Sequence, residues 1–307
     1  MNEEKIVDLC TECFLEKPRK ITRCAVGQGN YVYIVELEGR KVVLRLSEET
    51  CAYKDTIYWL EKLSKLDIPV PRVLGTGRLK GYEYLILTYF EGQDIGMIYH
   101  ELSREEKRAI AKTVVKIQNK VAAVELDDIP IDWSWKKVFV DDMLDRAQER
   151  IMANGGYFDL EKVEQLREAA KELEVYFAKV KPVAYLDDIS TKNLLIHEGE
   201  VSGVIDIDWM GVGDKLTYVA MTKMALLNMD CDTDYVSYLL EEMHLTVEEQ
   251  KAFDFYTLLF CVDFMGERGM WFMDQQVPVS DEIVKKMNEI YEMLWNDAYT
   301  PDGGKSW

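Results

Sequence analysis

Short apolar runs, interrupted by turn residues, fill the first third of the chain and predict strands with one helix among them. Val26-Gly27-Gln28-Gly29-Asn30 reads as a turn, and Tyr31 to Leu37 as a β-rich run. Glu38-Gly39-Arg40 reads as a hairpin turn, with Lys41 to Leu46 returning as a second strand. Across 52–66 the period changes. Ile57, Leu60 and Leu63 recur at helical spacing, and Pro69-Val70-Pro71 ends the helix. Val73-Leu74 and Tyr84 to Tyr89 predict two more strands, turned through Gly75 to Gly81.

Beyond Glu91-Gly92 the pattern is mostly helical. Ser103 and Glu106 form a capping-box pattern, opening a helix whose apolar stripe is Ile110, Val114, Ile117, Val121 and Val124. A helix over 160–180 carries Val163, Leu166, Leu173 and Phe177 near one face. A hairpin interrupts this region, with strands at Leu194 to Ile196 and Val204 to Ile207. Helices resume near Leu216, Thr246 and Glu249 form a second capping box, and Ser280 caps a last helix bearing Ile283, Met287, Ile290 and Leu294. The expected fold class is α+β, with a small β-rich lobe over 1–91 and a larger, mostly helical lobe over 92–307. Clefts between lobes are common ligand sites.

Composition narrows the class. The chain has 307 residues, 48% hydrophobic, enough for a sizeable core. No apolar run approaches the length of a membrane span, and the N-terminus lacks the basic and apolar regions of a secretion signal, so a cytoplasmic location is the expectation. The net charge of -19 disfavours nucleic acid and anionic membrane and favours cationic ligands, although it also serves solubility. Of six cysteines only Cys10 and Cys13 have a metal-like spacing. Without a second pair or a nearby histidine, they read as two positions on one face of an N-terminal helix.

The chemistry lies in 185–209. Asp188 and Asn193 are five residues apart, and Asp206 follows after the predicted hairpin. Two carboxylates and an amide, each at the edge of a short apolar strand, suit Mg²⁺ with a phosphorylated nucleotide. In such a site Asp188 orients an acceptor hydroxyl, while Asn193 and Asp206 ligate metal. Arg45 interrupts the apolar run Val42-Val43-Leu44 and shares a strand face with Val43.

This stretch resembles the aminoglycoside phosphotransferase and choline-kinase-like family, whose fold is similar to protein kinases. The family loop runs His-Gly-Asp-x-x-x-x-Asn, then a hairpin, then Ile-Asp. Asp188 matches its catalytic aspartate, Asn193 and Asp206 its metal ligands, and Gly213-Asp214 its following Gly-Asp. The resemblance implies a two-lobed protein-kinase-like fold and transfer of the γ-phosphate of ATP or GTP to a small-molecule hydroxyl. It implies that Gly27, Gly29 and Asn30 cover phosphates, that Arg45 holds the α- and β-phosphates, and that Thr88 and Phe90 lie on the connector meeting the purine. Lys192 stands where it could neutralise the γ-phosphate, or be an ordinary solvated lysine.

Four positions depart from the pattern. Leu186 and Asp187 replace the usual His-Gly, Tyr218 a later structural aspartate, and the helix glutamate that partners the phosphate-binding cation is missing near Tyr53. Glu48 and Glu49 are both candidate substitutes for that glutamate. The acceptor is less determined. Asp254, Tyr256, Asp263, Glu267, Trp271 and Asp274 offer carboxylates and aromatics for an aminoglycoside-like or other cationic acceptor. The same mixture also makes ordinary helix surface and core. Choline, ethanolamine, homoserine or a sugar are alternative acceptors, and a nucleotide-binding module without transfer is an alternative class. Oligomeric state is not legible.

Overall fold

The alternation read from Tyr31 to Leu46 builds the first sheet. The computed structural model describes residues 3–24, 31–127, 129–187, 189, 191–272 and 275–300. Helix α1 (Glu3–Phe14) precedes β1 (Lys20–Arg23), β2 (Tyr31–Leu37) and β3 (Arg40–Ser47). Then come α2 (Lys54–Leu63), β4 (Val73–Leu79) and β5 (Tyr82–Thr88). The strands form one antiparallel sheet in the order β1-β2-β3-β5-β4. Val42, Leu44 and Leu46 of β3 join Tyr33 and Val35 of β2 in a core with Ile6, Leu9 and Cys10 of α1. Period two therefore sends Arg45 to the opposite face. Cys10 and Cys13 are free thiols on α1, and burial pushes the Cys10 thiol up to about 12.

β4 is longer than the two residues expected, because pairing with β5 carries it through Gly75 and Gly77. Gly77 leaves room for its cross-strand partner Tyr84, whose hydroxyl a β-carbon would approach to 2.8 Å.

By internal contacts the chain divides into two compact units, 1–95 with 193–210, and 96–192 with 211–307. The hairpin segment lies in the first unit. There β6 (Gln93–Asp94), β8 (Leu194–His197) and β9 (Glu200–Val204) form an antiparallel sheet in the order β6-β8-β9. The hydroxyl of Ser202 donates to the carbonyl of Glu91 (2.6 Å), and the amide of Val204 to that of Pro69 (2.8 Å). Gly203 leaves room for the Phe90 ring, which a β-carbon would approach to 2.7 Å.

The second unit holds α3 (Ile95–Ile98) from Gly96 onward and α4 (Arg104–Val121). A π-helical segment, Lys136–Asp141, runs into α5 (Asp142–Ala153), followed by α6 (Glu161–Glu172) and α7 (Glu174–Phe177). Strands β7 (Val183–Tyr185) and β10 (Gly211–Gly213) pair antiparallel. The remaining helices are α8 (Leu216–Asn228), α9 (Asp234–Met243), α10 (Val247–Glu267) and α11 (Asp281–Tyr299). Both expected capping boxes form, at Ser103–Glu106 and Thr246–Glu249, and each adds about 1 kcal/mol. Ser280 caps α11. α10 buries Phe253, Phe255, Tyr256, Leu258, Leu259, Phe260 and Val262, apolar on nearly every side, so it is a core helix. Among the described residues, no helix is long and apolar enough to cross a membrane.

Candidate active site

In the first unit the buried Arg45 guanidinium meets the loop that leaves β9. Nη1 donates to Asp208 Oδ1 (2.8 Å) and Nη2 donates to Asp208 Oδ2, a fork-to-fork pair. Asp206 Oδ1 lies 3.6 Å from Nη1. From α2, the hydroxyl of Thr56 donates to Asp208 Oδ1 (2.8 Å). The Tyr53 ring lies 5.3 Å from the guanidinium carbon. Burial opposes ionisation of Asp208, but Arg45 and Thr56 outweigh it and hold the carboxyl below its ordinary range. Neither glutamate suggested by sequence partners Arg45. Glu48 accepts from the Tyr82 hydroxyl (3.1 Å), and Glu49 is exposed.

Asn193 and Asp206 occupy one end of the β8–β9 hairpin. The amide of Ile205 donates to the Asn193 carbonyl (2.9 Å), and the amide of Asn193 to Asp94 Oδ2 (2.8 Å). Both residues are left-handed, at φ 66° for Asn193 and 59° for Asp206. That conformation is uncommon outside glycine, though Asn and Asp tolerate it best. It corrects one expectation: the second hairpin strand, predicted over Val204 to Ile207, is instead Glu200–Val204, and it ends before the left-handed Asp206, where such a backbone cannot continue a strand. Among the described residues, no three His, Cys, Asp or Glu side chains form a metal cluster. A carboxamide and a carboxylate do fit Mg²⁺, a hard cation that takes its remaining ligands from phosphates and water.

Asp188 lies outside the described residues, but the start of its loop does not. Leu186 is buried, and Gln118 of α4 holds its main chain. Gln118 Nε2 donates to the Leu186 carbonyl (2.7 Å), and the Leu186 amide donates to Gln118 Oε1 (3.0 Å). Tyr218 is equally buried. Asp214 accepts from the hydroxyls of Tyr176 (2.6 Å) and Tyr256 (3.0 Å) and from the Leu216 amide (3.0 Å). Burial raises its carboxyl above the ordinary range, with these donors opposing. Trp135 Nε1 donates in turn to Tyr256 (2.7 Å). Gly213, at φ 151°, lies against Trp135, whose ring a β-carbon would overlap.

Of the remaining expected residues, Gly27, Gly29, Asn30 and Asp274 lie outside the described residues. Thr88 and Phe90 line a cleft of about 520 Å³ with Ser64, Asp67, Ile68, Pro69, Val70 and Arg72. The amide and hydroxyl of Thr88 are both engaged with Arg72. Lys192 is exposed. Three of the acidic and aromatic set are engaged within the second unit. Asp263 accepts from Arg146 (3.2 Å) and Arg150 (3.0 Å), Glu267 pairs with Arg150, and Tyr256 is core. Sequence reading missed Gln118, Asp94, Thr56 and Asp208. Only Asp208 carries a local signal, a second acid two residues after Asp206.

An antiparallel sheet bearing a buried cation, a hairpin with Asn193 and Asp206 at one end, and a helical second unit are the parts of a kinase-like fold. A model of the phosphotransferase enzyme family matches residues 20–237, and the chain belongs to that family. An aminoglycoside 3'-phosphotransferase of Niallia circulans is 23% identical over 227 residues, 69% of this chain and 80% of the relative. The "Probable ketoamine kinase" of Staphylococcus aureus is 25% identical over 201 residues, 60% of this chain and 62% of the relative. Among solved structures, the GDP complex of an aminoglycoside 2'-phosphotransferase-IIIa variant aligns with a TM-score of 0.70 at 15% identity, covering 97% of this chain and 99% of that one. ADP-bound aminoglycoside phosphotransferase APH(2'')-Ib aligns at 0.66 and 17% identity over 97% and 99%. The fold is therefore that of the aminoglycoside phosphotransferases, and the protein is a small-molecule kinase.

Proposed function

We propose that this protein transfers the γ-phosphate of ATP or GTP to a hydroxyl of a cationic small molecule, an aminoglycoside-like compound first among them. The observation carrying the reading is the hairpin end in the first unit. There Asn193 and Asp206 are both left-handed, and Asp206 lies beside the buried Arg45. Residues held in sparsely populated backbone regions cluster at ligand clamps and active sites. Asp188 orients the acceptor hydroxyl and takes its proton late in transfer. Arg45 and the Gly27–Asn30 turn position phosphates, and Thr88 and Phe90 belong to the connector beside the base. Asn193 and Asp206 would hold Mg²⁺, which when bound neutralises phosphate charge. The chain's own contribution is positioning and fixed charge.

The net charge of -19 and the named activity of the Niallia circulans relative support a cationic acceptor. The Staphylococcus aureus relative supports a second reading, a sugar-derived amine such as a ketoamine. Against a binding module without transfer stand two compensations: Gln118 supports Leu186, and Asp208 partners Arg45. The test is ADP release with Mg-ATP and Mg-GTP across aminoglycosides, ketoamines, amino alcohols and sugars. Turnover with one acceptor establishes transfer. Nucleotide binding without turnover on any of them contradicts it.

A further inference from the structure

Resting on the phosphotransferase reading, one relationship goes beyond it. The resemblance places the family's helix carboxylate near Tyr53, which stands just before α2 and carries no carboxylate. Of the neighbouring acids, Glu48 is held by the Tyr82 hydroxyl and Glu83 by the amides of Cys51 and Ala52, while Glu49 and Asp55 are exposed. Asp208, 163 residues from Arg45 in sequence, presents both carboxylate oxygens to both terminal guanidinium nitrogens. Thr56 fixes one of those oxygens from α2, and Tyr53 faces the guanidinium with its ring rather than a charge.

We propose that Asp208 is the positioning residue for Arg45, taking over the task of the missing helix carboxylate. The consequence is a different mechanical linkage. A carboxylate on a helix ties the cation to that helix. Here it lies two residues from Asp206, which itself sits 3.6 Å from Arg45. The phosphate-directed arginine and the metal-directed aspartate are thus set by one short segment, 206–208. α2 contributes the Thr56 hydroxyl, and Tyr53 just before it an aromatic face, instead of the charge. Planar, bidentate arginine–carboxylate geometry fixes orientation as well as distance, so the pair aims Arg45 rather than merely neutralising it.

The experiment titrates the full-length protein with Mg-ADP and Mg-GDP and measures nucleotide KM and kcat in Asp208→Asn, in Tyr53→Glu, and in the double variant. Asp208→Asn is expected to weaken nucleotide binding and raise nucleotide KM by about 10–100-fold, with acceptor KM unchanged. The double variant is expected to recover most of that loss, because it returns a carboxylate to the helix side of Arg45. A purely structural role for Asp208 would show no such rescue. Should Asp208→Asn fail to fold, Thr56→Val loosens only one oxygen of Asp208 and is expected to shift nucleotide KM in the same direction by less. Wild-type nucleotide affinity in folded Asp208→Asn, an unmoved KM in Thr56→Val, or no rescue by glutamate at 53 overturns the proposal. Wild-type protein that binds neither nucleotide overturns the phosphotransferase reading itself, and this proposal with it.

Discussion

The side-chain amide of Gln118 holds the main chain of Leu186 in both directions, donating to its carbonyl at 2.7 Å and accepting from its amide at 3.0 Å. Leu186 stands two residues before Asp188, where the family carries a histidine. The support of this main chain comes from α4, from a residue buried at 1% exposure. Gln118→Leu strands two buried backbone groups and is expected to destabilise the second unit by about 2–4 kcal/mol, read by urea unfolding. A change below about 0.5 kcal/mol, the range of an ordinary surface substitution, contradicts this role.

The chain Trp135 to Tyr256 to Asp214 anchors the start of α8. Asp214→Ala removes the acceptor of two phenols and one amide, and a loss of about 3 kcal/mol or more is expected. Asp214→Asn keeps an acceptor oxygen and is expected to lose less. Equal losses in the two variants, measured by thermal melting, would show that the hydrogen bonds are not what Asp214 provides.

Acid sensitivity has a local source at Lys107. This lysine is buried on α4, lies 3.9 Å above the Tyr99 ring, and donates to Asp232 Oδ2 at 2.8 Å. Burial alone would raise the Asp232 carboxyl, but the Lys107 bond and the Asp234 amide lower it below its ordinary range. A carboxylate depressed in the folded state stabilises fully above its unfolded value, near pH 4. That contribution is lost as pH falls through the folded value. Lys107→Met is therefore expected to flatten the fall in melting temperature below about pH 4. An unchanged acid limb refutes the assignment.

The first sheet and both capping boxes were legible because their signals are local. Val42, Leu44 and Leu46 alternate with Arg45 over a single strand, and Ser103 reads Glu106 three residues away. Asn193 and Asp206 were singled out by their spacing at the edges of short apolar strands and by the family resemblance, and the structure places both at one end of the hairpin. What the sequence concealed is long in range. The partner of Arg45 was sought at Glu48 and Glu49, the nearest acids, whereas Asp208 reaches it only through the fold. Gln118 looks like one more polar residue on an amphipathic helix until Leu186 is brought beside it. The same holds for Asp263: read along the chain it is a free acid, and folded it is shared by two arginines from α5. β9 was expected over 204–207 because apolar residues alternate through Ile207, whereas it runs over Glu200–Val204 and the backbone turns at Asp206.

The central claim is phosphoryl transfer with Asp188 orienting the acceptor. The most direct measurement is ADP release by wild type and Asp188→Asn with the best acceptor of the panel, alongside a nucleotide titration of both proteins. The account predicts that Asp188→Asn loses transfer by about 100-fold or more while binding nucleotide as wild type does. Undiminished turnover in Asp188→Asn would contradict it.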